Sequence, residues 1–223
     1  MNSCIYLDIG NSNVKWKFKG EYFEMPTNEF NLDILPRSSK IWASNVSSDF
    51  VINNKSNISL VESQKKYKSL VNSYEKPKLL GSDRWLAMIA LYEINPSQSF
   101  IVVDIGTAVT IDFVDNSAHH MGGVIFPGLL KIRNTFNYFS VMKEKNIFGI
   151  SQSTNGGWSI GTLSLLVHGI NQKIHELKHI SSDAKIYLTG GGFNAVENFI
   201  DFSYEYHKNL VLDGIELFAN NMG

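Results

Sequence analysis

The chain has 223 residues, enough for one large domain or two small ones, and for a core that needs no disulfide or metal staple. Twenty Lys plus Arg against 21 Asp plus Glu leave a formal charge of −1, and no run of five or six like charges marks a nucleic-acid arm, so no nucleic-acid partner is expected. A lone cysteine, Cys4, an amino terminus without export-signal features, and no apolar run near the roughly 18 residues that cross a bilayer predict a globular cytoplasmic chain with no membrane partner.

The first apolar segment, Ile5 to Leu7, ends in Asp8-Ile9-Gly10-Asn11-Ser12-Asn13, after which Val14, Trp16 and Phe18 alternate with Lys15, Lys17 and Lys19. This reads as strand, tight turn and amphipathic strand. From Gly20 to Tyr74 the chain is rich in Asn, Ser and Lys and predicts only strands near Lys40 to Ala43 and Ile58 to Val61. Trp85, Leu86, Ile89 and Tyr92 have helical spacing, giving a helix from Trp85 to Ile94, and Asn95 to Ser99 reads as a junction.

The opening pattern then returns. Phe100 to Val103 is apolar, Asp104-Ile105-Gly106-Thr107-Ala108 is a turn, and Thr110 to Val114 alternates outward; the aspartates of the two copies are 96 positions apart. Two α/β domains of like topology follow as the expectation, residues 1–99 and 100–223. In the second, Gly122 to Gly128 reads as a Gly/Pro loop feeding a helix from about Leu129. Helices are expected at about Trp158 to Lys178 and Phe193 to Phe199, with a strand at Lys185 to Leu188 that stops at Gly190-Gly191-Gly192.

The turn from Asp8 to Asn13, with Lys15, has the parts of a phosphate-binding hairpin. Asp8 suits a magnesium shell that takes only one or two carboxylates, and Lys15 suits phosphate as a point charge. An ordinary hairpin uses the same residue types. The second copy favours the functional reading, with Thr107 as a phosphate donor and Asp104 as a cation ligand. Gly81-Ser82-Asp83-Arg84 precedes the Trp85 helix. An Arg in a first helical turn opposes the dipole unless it holds an anion. Asp83 suits either an N-cap or a general base for an attacking hydroxyl. His175-Glu176-Leu177-Lys178-His179 matches the zinc-peptidase signature, but the strand and glycine turn downstream offer no third ligand, so a solvated helix face is expected. His119 and His120 read as exposed turn residues.

In order and spacing, Asp8-Ile9-Gly10-Asn11-Ser12 with Lys15, Gly81-Ser82-Asp83-Arg84-Trp85, Asp104 to Thr110 and Gly122 to Gly128 resemble a type III pantothenate kinase. The resemblance spans most of the chain and implies two duplicated actin-like, Hsp70-like, sugar-kinase-like domains of ribonuclease H-like fold with ATP in the cleft. It implies a homodimer that phosphorylates the terminal hydroxyl of pantothenate, the entry step to coenzyme A. By the same resemblance, Asp8, Ile9, Gly10, Asn11, Ser12, Asn13, Val14 and Lys15 line ATP and magnesium, Thr107 touches ATP, and Asp104 binds potassium or ammonium. Asp83 is implied as catalytic base, with Tyr74, Gly81, Ser82, Arg84 and Thr154 at the substrate, Thr154 across the dimer. Asn155-Gly156-Gly157-Trp158 departs from the family's more helical sequence at that point. A kinase of another small hydroxy acid and a non-catalytic regulatory protein are the competing readings.

Overall fold

The structure, a computed structural model, describes residues 4–38, 40–48, 50, 57–139 and 149–222. The chain divides into two compact units. The first comprises Met1–Gln98, Asn116–His120 and Asn209–Gly223; the second comprises Ser99–Asp115 and Met121–Lys208. The sequence places residues 209–223 and 116–120 with the second half, whereas their packing puts both with the first.

In the first unit, β1 (Cys4–Ile9), β2 (Asn13–Phe18), β3 (Glu21–Pro26), β4 (Lys40–Asn45) and β5 (Ile58–Leu60) form one sheet of order β3-β2-β1-β4-β5. The β1–β2 and β2–β3 pairs are antiparallel, and β1–β4 and β4–β5 are parallel. Ile5, Leu7 and Ile9 alternate into a core with Val14, Trp16 and Ile41, as a period of two requires. A small hairpin, β6 (Lys66–Tyr67) and β7 (Leu70–Val71), stands apart from that sheet.

Helix α1 (Ser82–Ile94) starts three residues earlier than the apolar spacing predicts. Every side chain from Arg84 to Tyr92 is buried, so α1 is an internal helix and its polar residues were no guide to its start. It packs on α4 (Leu210–Met222), where a Cβ on Gly214 would collide with the Leu86 carbonyl.

The second unit repeats the plan with β8 (Phe100–Ile105), β9 (Ala108–Val114), β10 (His120–Pro127), β11 (Lys185–Thr189) and β12 (Glu205–Tyr206) in the order β10-β9-β8-β11-β12. Again the hairpin β8–β9 is antiparallel and β8–β11 and β11–β12 are parallel. Strand β8 is buried on both faces, the usual state of a central strand under helices. Short α2 (Leu129–Arg133) and long α3 (Thr154–Ile180) complete the unit, α3 burying Leu163, Leu166, Val167, Ile170 and Ile174.

Three local expectations differ from the structure. Gly122 to Pro127 is strand, because sheet pairing overrides the loop tendency of its glycines. Phe193–Ala195 and Glu197–Phe199 are two separate 3-10 turns and not one helix. The Asn155-Gly156-Gly157-Trp158 segment is fully helical: Ser153 caps α3 by accepting from the Gly156 N–H at 3.2 Å, and buried Gly156 leaves room for the Ser151 and Ser153 hydroxyls.

Candidate active site

The β1–β2 register sets Asp8 opposite Lys15 and Ile9 opposite Val14, so one carboxylate and one ammonium stem flank a short turn. The turn is closed by the Gly10 N–H donating to the Asn13 carbonyl at 3.0 Å. Thr27 donates its hydroxyl to the Gly10 carbonyl at 2.8 Å and its N–H to the Ser12 carbonyl at 2.9 Å, pinning the loop from below. Ile9 and Val14 are buried, Asp8, Gly10 and Lys15 half-buried, and Asn11, Ser12 and Asn13 exposed. Asn11 accepts from the Ser48 N–H at 3.3 Å, and Asn13 donates to Glu24 at 2.7 Å.

The same sheet carries this turn toward α1. Asp8 is in parallel register with Ser44, which is fully buried. The Ser44 and Ser82 hydroxyls share a hydrogen bond of 2.8 Å, linking the end of β4 to the first residue of α1. Ser63, also buried, donates its hydroxyl to the Gly81 carbonyl at 3.2 Å. Neither serine belongs to a motif, and sequence reasoning missed both. For Ser44 the one available signal is a polar residue in an apolar strand; Ser63, in the loop after β5, offers none.

At the start of α1 the helix N-cap is Gly81, not Asp83. The half-buried Asp83 carboxylate folds back and accepts from the Arg84 N–H at 2.7 Å. A Cβ on Gly81 would stand 2.5 Å from Asp83 Oδ1, so glycine is what leaves the carboxylate this place. Arg84 is buried, 7% exposed, and its Nη1 donates to the Tyr74 hydroxyl at 3.1 Å. The guanidinium carbon also lies 5.9 Å from the Tyr74 ring centre. Buried Asn72 fixes the Tyr74 loop, accepting from the Tyr74 N–H at 3.0 Å and donating to the Gln64 and Pro77 carbonyls at 3.2 Å each. Within the first unit, hydrogen bonds thus join Arg84 to Tyr74 and Asp83, and Ser82 to Ser44, the strand-register neighbour of Asp8.

His119 is exposed as expected, but His120 is fully buried, correcting its reading as an exposed turn residue. Strand alternation from β10 turns the two histidines to opposite sides. The His120 ring stacks on Tyr74 with centres 5.9 Å apart and planes 17° from parallel.

In the second unit Asp104 lies between Thr110 of β9 and Thr189 of β11. Four close backbone approaches surround it. Gly106 N–H donates to the Ala108 carbonyl at 2.9 Å, Gly128 N–H to the Thr107 carbonyl at 3.0 Å, and Gly192 N–H to the Ile105 carbonyl at 2.7 Å. Gly190, at φ +99°, leaves no room for a Cβ beside Asp104 Oδ1 and the Ile105 backbone. Thr107 is half-buried, and Thr154 is exposed in the first turn of α3. Along α3, exposed His175 pairs with Asp201 at 3.1 Å and Glu176 with Lys173; the lysine hydrogen bond holds the Glu176 carboxyl below the usual range. No group of three His, Cys, Asp or Glu is gathered among the described residues, and none of their helices is long and apolar enough to cross a membrane.

The family profile described as type III pantothenate kinase matches residues 36–138. A curated type III pantothenate kinase of Hahella chejuensis is 31% identical over 96% of this chain and 96% of its own length. The chain belongs to the type III pantothenate kinase family. Among solved structures, a conserved Campylobacter jejuni protein assigned to the Baf family of transcriptional activators matches with a TM-score of 0.67 and 26% identity, covering 98% of each chain. A non-polymerisable ParM from pCBH matches at a TM-score of 0.55 over 98% of this chain and 99% of its own, and at 12% identity it speaks for the actin-like fold alone. The two matched five-stranded sheets are the duplicated halves that the pantothenate kinase resemblance implies.

Proposed function

We propose that the chain transfers the γ-phosphoryl group of ATP to the terminal hydroxyl of pantothenate, giving 4′-phosphopantothenate at the entry to coenzyme A synthesis. The observation that carries this reading is the start of α1, where the Asp83 carboxylate is fixed by the Arg84 backbone N–H and the buried Arg84 guanidinium is fixed by the Tyr74 hydroxyl. Phosphoryl transfer requires mainly positioning and charge neutralisation, with a carboxylate to guide the attacking hydroxyl.

In this reading Asp83 accepts the proton of the pantothenate hydroxyl, and Arg84 holds the substrate's anionic end. Tyr74, Gly81 and Ser82 complete the wall around it. The Asp8 turn receives the phosphates: Lys15 supplies a point charge, and the exposed backbone of Asn11, Ser12 and Asn13 supplies donors, with Ile9, Gly10 and Val14 shaping the loop. Thr107 adds a contact to ATP. Asp8 would hold the magnesium that comes with the nucleotide, an ion that takes only one or two protein carboxylates and would supply charge neutralisation at the transferred group. Asp104, ringed by glycines that keep side chains away from its carboxylate and the neighbouring carbonyls, suits potassium or ammonium. A homodimer in the cytoplasm completes the proposal, with exposed Thr154 of one protomer reaching its partner's substrate.

The test is the product itself. Purified protein with Mg-ATP and pantothenate should yield a phosphomonoester on the terminal hydroxyl, seen by ³¹P NMR. A phosphomonoester formed only on a different hydroxy acid would move the substrate. No phosphomonoester on any hydroxy acid, from folded protein that binds ATP, would favour the regulatory reading that the Campylobacter relative's description raises.

A further inference from the structure

We propose that His120 is a positioning residue for the Arg84 anion clamp, acting through the Tyr74 ring. The inference rests on the reading of Arg84 given above. Three observations carry it. His120 is fully buried and lies nearly parallel to Tyr74, 17° off with centres 5.9 Å apart, within the range of an offset aromatic stack. Tyr74 in turn accepts from Arg84 Nη1 at 3.1 Å and faces the guanidinium at 5.9 Å, within cation–π reach. The segment that delivers His120 is built for that place. Ala118 takes the left-handed conformation at φ +60°, its carbonyl accepts from the Val71 N–H at 2.9 Å, and Val71 bridges His119.

Asn72 holds the Tyr74 backbone while His120 holds its ring. A leucine would fill the same volume without the desolvation of an imidazole, but it would offer no flat face. With the ring fixed, the guanidinium is ordered before substrate arrives, and less freedom is lost on binding. His120 therefore tunes the affinity for the anionic end of the acceptor and leaves the phosphate turn alone.

The test compares His120→Ala with His120→Phe, the second keeping a flat ring against Tyr74. His120→Ala should raise the pantothenate KM about three- to tenfold while the ATP KM and kcat stay within about twofold, and His120→Phe should restore most of the loss. The Arg84 Nε–Hε NMR resonance of the free protein, assigned through Arg84→Lys, should shift or broaden in His120→Ala and return in His120→Phe. An Arg84 resonance identical in wild type and His120→Ala overturns the inference whatever the acceptor proves to be. So does a parallel loss of kcat, both KM values and Tm in both variants, which would make His120 a core residue only. If wild-type protein does not use pantothenate but the resonance responds as described, the substrate assignment falls and the coupling stands.

Discussion

Replacing Gly81 by alanine separates the placement of the Asp83 carboxylate from the stability of the fold. Gly81 has φ −53° and ψ 135°, values open to any residue, so the substitution strains no backbone. Its new Cβ would lie 2.5 Å from Asp83 Oδ1, where ordinary contact begins at 3.4 Å, and 3.8 Å from Arg84 Cδ, which is comfortable. The carboxylate must therefore swing away by roughly 1 Å and loosen its bond from the Arg84 N–H, at about 1 kcal/mol. For a chain of this size that is a fall in Tm of about 2–4 °C. A misplacement of about 1 Å in a catalytic group costs on the order of 100-fold in rate, about 2.7 kcal/mol of transition-state stabilisation. ADP release under saturating Mg-ATP and pantothenate, read beside a thermal melt, should show kcat down about 10- to 100-fold with an ATP KM near wild type. Wild-type kcat in Gly81→Ala would refute the claim that this carboxylate position matters. A melt lowered by ten degrees or so would refute the claim that only a side chain has to move.

Asp83→Asn keeps an oxygen for the Arg84 N–H and should fold normally, yet lose about 10²- to 10⁴-fold in turnover because an amide takes no proton; near-normal kcat would remove Asp83 as base. Gly190→Ala should lower stability by roughly 1–3 kcal/mol, because φ is +99° and the Cβ meets Asp104 and the Ile105 backbone, while Gly191→Ala, with open space around it, should be close to silent; equal melts for the two would discredit the tight crossing at Asp104. Burial alone would lower the Lys17 pKa, but its hydrogen bonds to Glu216, at 2.6 Å, and to Tyr22 outweigh it and hold the ammonium above the usual lysine range. Because the folded value is raised, its contribution is complete below the unfolded lysine value of about 10.4 and is lost only as pH rises through the folded one. The destabilisation of Lys17→Met, about 1 kcal/mol, should thus be flat from about pH 6 to about pH 9 and shrink above about pH 10.5. A deficit that disappears near neutral pH in urea titrations would contradict that assignment.

The duplicated architecture was legible because each copy announces itself at a strand end. Asp8-Ile9-Gly10 and Asp104-Ile105-Gly106 follow apolar strands, and both lead into antiparallel hairpins at the centre of equivalent sheets. Local chemistry at such turns shows directly in residue type. What depended on tertiary pairing was hidden. Ser44 and Ser63 look like any serine until β4 and the loop after β5 bring them to Ser82 and Gly81. His120 follows an exposed neighbour and precedes two glycines, and its burial exists only because the turn at Ala118 docks on Val71. Helix α4 has apolar Leu210, Val211, Ile215 and Phe218 on one face, a readable helical spacing. Its membership in the first unit comes from the close approach of Gly214 to Leu86, which no local pattern encodes. The glycine pair at 156–157 argues against helix by propensity, yet the Ser153 cap and the fit of Gly156 against Ser151 reverse that.

Pantothenate kinase activity is tested most simply by steady-state ADP release from the purified chain with Mg-ATP and pantothenate, with and without potassium or ammonium, beside other small hydroxy acids and Asp83→Asn. Turnover should depend on pantothenate, rise with the monovalent cation and collapse in Asp83→Asn. ADP release that ignores pantothenate, or that survives intact in Asp83→Asn, would contradict the proposed function.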